Sequence, residues 1–158
     1  EEGLVPGLTL TEHFTIKEQE NALFIDKHYY RNKTEEKIDE YHIIGRPDSL
    51  VESLSGGNQQ RAALSLMEKD LEAVLLEHPT RGLDLESAVY IWDKLKERCK
   101  LGTAIFFISA DLDEIMRYSD RILVFFSGSV SPPLITSQID LGQLGQMIGG
   151  KGWGATDV

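Results

Sequence analysis

Cysteine is almost absent: Cys99 is the single thiol in 158 residues. No internal disulfide can form, so the fold must rest on packing, as a reducing compartment requires. The place of Cys99 in a helical pattern marks it as a buried thiol rather than a nucleophile. Cations are scarce as well, with 16 Lys and Arg against 26 Asp and Glu and a net charge of −10. Binding to nucleic acid or anionic lipid needs clustered cations that displace counterions. That balance excludes nucleic acid as an expected partner and favours proteins or small ligands. Long apolar runs are missing too. Nothing approaches the roughly 20 residues that span a bilayer, so no direct membrane insertion is expected, and the N-terminus has no basic-then-apolar leader layout. An initiator methionine is lacking, and the chain opens abruptly on Glu1-Glu2-Gly3 before Leu4-Val5-Pro6-Gly7-Leu8. It is therefore expected to be a piece of a longer protein.

What remains is ordinary globular material, 41 % hydrophobic and long enough for a proper core. From Thr11 to about Ile44 the pattern is charged and helical, with Ile38 and Tyr41 on one face. Gly45-Arg46-Pro47-Asp48-Ser49 has turn chemistry. Helices and strands then alternate. Gly57 to about Asp70 suits a helix with Leu64, Met67 and Leu71 inward, and Ala73–Leu76 reads as a strand buried on both faces. Leu85 to Lys100 is amphipathic, its stripe formed by Ala88, Ile91, Trp92, Leu95 and Cys99, with Asp84 as N-cap and Gly102 past the end. Ala104–Ile108 is a second buried strand. Asp111 and Glu114 have capping-box spacing for a helix through Tyr118. Arg121–Phe126 reads as a third strand turned at Ser127-Gly128, Pro132-Pro133 closes the regular core, and Leu141–Ile148 forms a last short helix. Such alternation implies an α/β fold with a parallel sheet. His13, His28 and His42 have no partners at ligand spacing and are expected to be exposed or packing residues, while Trp92 is a core residue.

Ser55-Gly56-Gly57-Asn58-Gln59 stands directly before a helix. Free amides and the positive end of the helix dipole can hold an anion there, and two glycines let the ligand approach the backbone closely. The motifs that follow extend this reading. LSGGNQQR resembles the signature motif of ATP-binding cassette (ABC) ATPases, AVLLEHPT their Walker B strand, RGLD their D-loop and FFISADLDEI their switch region. SDRILVFFSGSV resembles the strands that come next. Within the family, GGNQQ, PTRGLD and EGLVPGLTLTEHF look most like importers of simple sugars or nucleosides, and the chain is similar to the C-terminal part of their second ATPase half. The resemblance implies a partial P-loop NTPase fold, its parallel sheet core lacking the Walker A strand. Residues 1–53 would be a helical subdomain segment following the Q-loop, 54–130 the signature, Walker B, D-loop and switch region, and 131–158 a C-terminal extension.

No G-x-x-x-x-G-K-[ST] occurs in the chain, so a lysine-bearing cradle for the β- and γ-phosphates is missing. The resemblance assigns Ser55, Gly56, Gly57 and Gln59, helped by Asp84 in the D-loop, to an ATP molecule bound by another ATPase half. It also shows departures. Glu77 stands where the family has the Asp that organises Mg²⁺, which leaves a weak metal ligand one methylene too long. His78 stands where the family has the Glu that polarises water, and Ala110 where it has a histidine on the γ-phosphate. The expected picture is an ATPase subunit with Mg²⁺ and ATP as cofactors in the complete protein and permease subunits as membrane partners. It would sit at the cytoplasmic face of the plasma membrane with a degenerate site of its own. A non-catalytic ABC-shaped assembly or regulatory module is the alternative.

Overall fold

The computed structural model describes residues 3–18, 25–68 and 70–152. It contains two compact units, the first running to Phe107 and the second from Ile108.

The first unit begins with helices α1 (Leu10–Glu18) and α2 (Lys27–Glu40). A reciprocal cap starts α1: the Thr9 amide donates to Glu12 Oε2 at 2.7 Å, and the Glu12 amide donates back to Thr9 Oγ1 at 3.2 Å. Asp26 starts α2 by accepting from the His28 and Tyr29 amides. Leu10, Phe14 and Thr34 are sealed between the pair, and Thr34 hides its hydroxyl by donating to the Tyr30 carbonyl at 2.7 Å. His13 is a packing residue. Its Nε2 accepts from the Val5 amide and its Nδ1 lies 2.8 Å from the Thr9 carbonyl.

Helix α3 (Gly56–Ser65) ends earlier than its apolar pattern predicts. Ser65 donates its hydroxyl to the Ala62 carbonyl, a local bond that competes with helix propagation. The buried Arg98 guanidinium then takes the Glu68 and Met67 carbonyls at 2.6 and 3.3 Å. Leu64 is buried, but Met67 and Leu71 lie beyond the helix and are only half-buried.

Strands β1 (Ala73–Glu77) and β2 (Ala104–Ile108) form a two-stranded parallel sheet, crossed over by α4 (Leu85–Lys100). The expectation that both strands are buried on both faces is corrected here. Val74 is buried, and Trp92 packs edge-on against Phe107 at 4.6 Å between centroids. Leu75 and Phe106, which point the other way, are 76 % and 57 % exposed. A five-residue strand alternates its side chains strictly, and α4 packs on the face that carries Phe107. Helix α4 keeps the predicted bounds, the Asp84 cap and a left-handed Gly102 at φ +103°. Its stripe differs at two positions: Cys99 is exposed and Ala88 half-buried, while Arg98 and Ser87 are buried.

The second unit contains α5 (Leu112–Tyr118), short strands β3 (Arg121–Ile122), β4 (Phe125–Phe126), β5 (Ser129–Val130) and β6 (Leu134–Ile135), and α6 (Leu141–Ile148). Its core is Ile122, Val124 and Leu144, with Leu112, Ile115 and Met147 against it. The single strand expected over Arg121–Phe126 is instead two pieces, paired antiparallel with β6 and β5. Ser127 and Gly128 both have positive φ, 46° and 83°, the two-residue turn that matches strand twist. That local hairpin forms without a distant partner. Between the pieces, the Val124 amide turns to Ser131 Oγ at 3.0 Å. Pro132-Pro133 does not end the regular structure, because Leu134 and Ile135 pair with Ile122 and Arg121. Helix α6 has the expected bounds, with a complete capping box between Asp140 and Gln143.

Candidate functional site

Ser55, in extended conformation, is the N-cap of α3, so the amides of Gly56 and Gly57 open the helix without intrahelical acceptors. Ser55 Oγ receives the Asn58 amide at 3.4 Å and Asn58 Nδ2 at 2.8 Å. With both acceptor positions in use, its one O–H is left to point at something else. Ser55 and Gly56 are exposed.

The two glycines differ in what they face. A Cβ on Gly57 would lie 2.9 Å from Ser87 Oγ, whereas one on Gly56 would meet nothing within 4 Å. Gly57 is thus the contact point between α3 and α4, and it fixes the signature turn beside the cap of α4. There Asp84 accepts from the Ser87 amide at 2.9 Å and the Ser87 hydroxyl at 2.8 Å. The amide bond first, and the hydroxyl bond after it, hold the Asp84 carboxyl below its ordinary range. Because the folded state depresses this pKa, the stabilisation is present above the unfolded value near 3.8 and fades as pH falls through the lower folded value. Asp84→Ala is therefore expected to lower Tm by about 2–4 °C at pH 7, with the gap narrowing in acid. Calorimetry at pH 7 and pH 3 measures both.

Sequence reasoning named Gln59, but its side chain folds back to the Leu54 carbonyl at 3.1 Å. It overlooked Asn58, which bonds Ser55 and accepts the Ile44 amide at 2.7 Å. The signal lay in plain view, since Asn58 directly follows the two glycines. Gln60 reaches the Pro79 carbonyl at 2.7 Å and ties α3 to the end of β1.

Glu77 ends β1 with an exposed side chain. His78 follows in the left-handed region at φ 48° and its carbonyl accepts from the Arg81 amide at 3.1 Å. Histidine tolerates that conformation better than most residues, and here it begins the tight turn completed by left-handed Gly82 at φ 75°. Glu77 supplies no metal cage by itself: among the described residues no group of three or more His, Cys, Asp or Glu could hold an ion. No step through Mg²⁺ can be built on these side chains. Ala110, exposed at a bend after β2, belongs to the second unit. The structure therefore brings together Ser55, Gly56, Gly57 and Asp84, and joins them through Gln60 and Pro79 to the Glu77-His78 turn.

The turn thus presents an exposed serine and an open glycine at the start of α3, beside the capped start of α4. Comparison with known proteins gives the class. In the dimeric structure of a post-hydrolysis state of the ATP-binding cassette MJ0796 bound to ADP and Pi, 59 % of that chain superposes on 84 % of this one at TM-score 0.67 and 23 % identity. An ATP-binding subunit of an ABC transporter matches over 95 % of this chain and 60 % of its own, at TM-score 0.65 and 20 % identity. The fold is part of an ABC ATPase cassette.

No family model matches the chain. Curated relatives narrow the class: an arabinose import ATP-binding protein of Pectobacterium atrosepticum is 30 % identical over 85 % of this chain and 28 % of its own length. One from Burkholderia ambifaria is 35 % identical over 87 % and 29 %. A nucleoside import ATP-binding protein of Lactococcus lactis is 33 % identical over 95 % and 31 %. The chain is a homologue of sugar and nucleoside import ATP-binding proteins, and it spans under a third of their length.

Proposed function

We propose that this chain works within the ATP-binding subunit of an importer of simple sugars or nucleosides. Its signature turn would grip ATP held by another ATPase half, while its own hydrolytic position is degenerate. The segments 1–53, 54–130 and 131–158 would serve as helical subdomain, ATPase core and C-terminal extension. Permease subunits would hold the assembly at the cytoplasmic membrane face. No described helix is long and apolar enough to cross a bilayer.

The observation that carries this reading is Gly56. Glycine costs about 1 kcal/mol relative to alanine in a helix interior and less at the first position, and here neither a positive φ nor a close neighbour within the chain calls for it. A ligand that approaches the backbone from outside does. When the terminal phosphate arrives, the Gly56 and Gly57 amides and the Ser55 O–H can donate to it at the positive end of α3. Asp84 then acts by holding the start of α4, against which Gly57 is seated. ATP and its Mg²⁺ would be bound chiefly by the partner half.

Site-resolved turnover in the assembled transporter tests the proposal. The ATP that faces this signature turn should be hydrolysed, and the ATP opposite Glu77, His78 and Ala110 should not. Equal hydrolysis at the two sites would contradict it. His78→Ala should change total turnover by less than about twofold, whereas removing a working base costs about 10²–10⁴.

A further inference from the structure

We propose that Tyr90 is a positioning residue that latches the first turns of α3 to the chain leaving α2. Tyr90 lies on α4, half-buried, at a point where three elements meet. Its ring carries the Arg61 guanidinium of α3 at 4.3 Å from the centroid and the His42 ring at 5.6 Å, and its hydroxyl donates to the Glu40 carbonyl at 3.2 Å. Burial pushes the Tyr90 hydroxyl above its ordinary pKa, so it remains a donor.

The segment just after α2 is shaped to use this hub. His42 adopts φ 50°, a left-handed turn that histidine accepts more readily than bulky residues. The reversal aims the His42 carbonyl at Arg61 Nη1, 2.9 Å away. Two residues on, the Ile44 amide donates to Asn58 Oδ1 at 2.7 Å, and Asn58 Nδ2 donates to Ser55 Oγ at 2.8 Å. A continuous polar path therefore runs from the end of α2 to the hydroxyl at the head of α3. Arg61 stands one turn behind Asn58 on the same helix. Its guanidinium, sandwiched between the tyrosine face and the His42 carbonyl, fixes the rotation of α3 about its axis, which sets where Asn58 meets Ile44. A cation over an aromatic face contributes about 0.5–2 kcal/mol, with more as water is excluded, and Tyr90 supplies that face from α4, a separate helix. The consequence for ATP rests on the function proposed above: displacement of the chain leaving α2 would turn the Ser55 hydroxyl away from a bound phosphate.

Amide exchange followed by NMR in this chain tests the latch itself. Tyr90→Leu keeps apolar bulk and removes both the ring and the hydroxyl, and Tyr90→Phe restores the ring. Exchange at the Ile44 amide and at the Gln59 amide, which donates to the Ser55 carbonyl at 2.9 Å, should rise about tenfold in Tyr90→Leu and less than about threefold in Tyr90→Phe. The Leu144 amide in the second unit should not respond. Unchanged Ile44 and Gln59 exchange, or an equal rise at Leu144, overturns the latch. In the assembled ATPase, Tyr90→Leu should lower kcat about tenfold with KM for ATP unchanged, and Tyr90→Phe should restore it. If Gly56→Val stops turnover while Tyr90→Leu leaves kcat intact, the positioning role fails. If turnover ignores Gly56→Val as well, the proposed use of ATP fails, and the exchange result alone decides the latch.

Discussion

Replacing Gly56 by valine is expected to leave the chain folded and to reduce ATP hydrolysis at the site it faces by about 10²-fold or more. The two halves of that statement have separate physical grounds. Folding is spared because a Cβ at Gly56 meets open space and the backbone is not in the left-handed region. Even a β-branched residue costs less in the first turn of a helix than in its interior, and alanine there should raise Tm slightly. Turnover falls because the side chain would stand between the amides of α3 and an incoming phosphate. Removal of a single well-placed donor to a developing charge costs about 10²–10³ in rate, and valine obstructs more than one. Circular dichroism and thermal melting of the variant, with turnover measured in the assembled protein, give the two readings. A variant that melts as the parent does and still hydrolyses ATP at the parent rate would end the proposed function.

Gly57 is the instructive neighbour. It has the more obvious contact, Ser87 Oγ at 2.9 Å from a built Cβ, so a substitution there disturbs packing and ligand access together. A loss of activity from Gly57 variants therefore separates nothing. The pair of glycines looks uniform in the sequence, and only the structure assigns one to the joint between α3 and α4 and the other to the outside.

The same division runs through the rest of the chain. Features governed by neighbouring residues were legible: the Asp84 and Asp111 caps, the bounds of α4 and α6, the Ser127-Gly128 turn and the core position of Trp92. The reciprocal cap of Thr9 and Glu12 is equally local, but it starts the first helix two residues ahead of the charged segment expected from Thr11. Features set by distant partners were not legible. An apolar run cannot reveal that Leu75 and Phe106 are exposed, and Arg121–Phe126 cannot reveal that its pairing partners lie downstream. The site divides likewise. Ser55 and its glycines could be placed from their order before a helix, whereas the turning of Gln59 toward Leu54 and of Asn58 toward Ile44 depends on segments folded from elsewhere.

Arg98→Met is expected to destabilise the first unit strongly, because this arginine, which helical spacing leaves off the apolar stripe of α4, is buried and hydrogen-bonded. Helical spacing puts Cys99 inside, yet Arg98 is 8 % exposed and Cys99 lies at the surface. Arginine is buried here because the chain between α3 and β1 leaves carbonyls that need donors. Nη1 serves Glu68 at 2.6 Å and Nη2 serves Met67 at 3.3 Å. The Arg98 carbonyl in turn receives the Leu101 and Thr103 amides at 3.0 and 3.1 Å, which turns the chain into β2. One residue thus ties the exit of α3 to the end of α4 and to the entry of the second strand. Methionine would fill much of the same volume and supply no donor, leaving two carbonyls without their charge-assisted bonds. Such bonds contribute about 1.5–3 kcal/mol each, and the carbonyls they leave belong to half-buried Met67 and exposed Glu68, which water can partly reach. Allowing for partial rehydration, a loss of about 3 kcal/mol is expected, or about 6–12 °C in Tm for a chain of this size. Arg98→Lys should recover less than half, since a single ammonium cannot reproduce the fork that spans two carbonyls. Cys99→Ser, one position along, should shift Tm by less than about 1 °C. If thermal melting ranks Cys99→Ser as the more damaging change, Arg98 does not lie on the buried face of α4, and the seat of Gly57 on that helix falls with it.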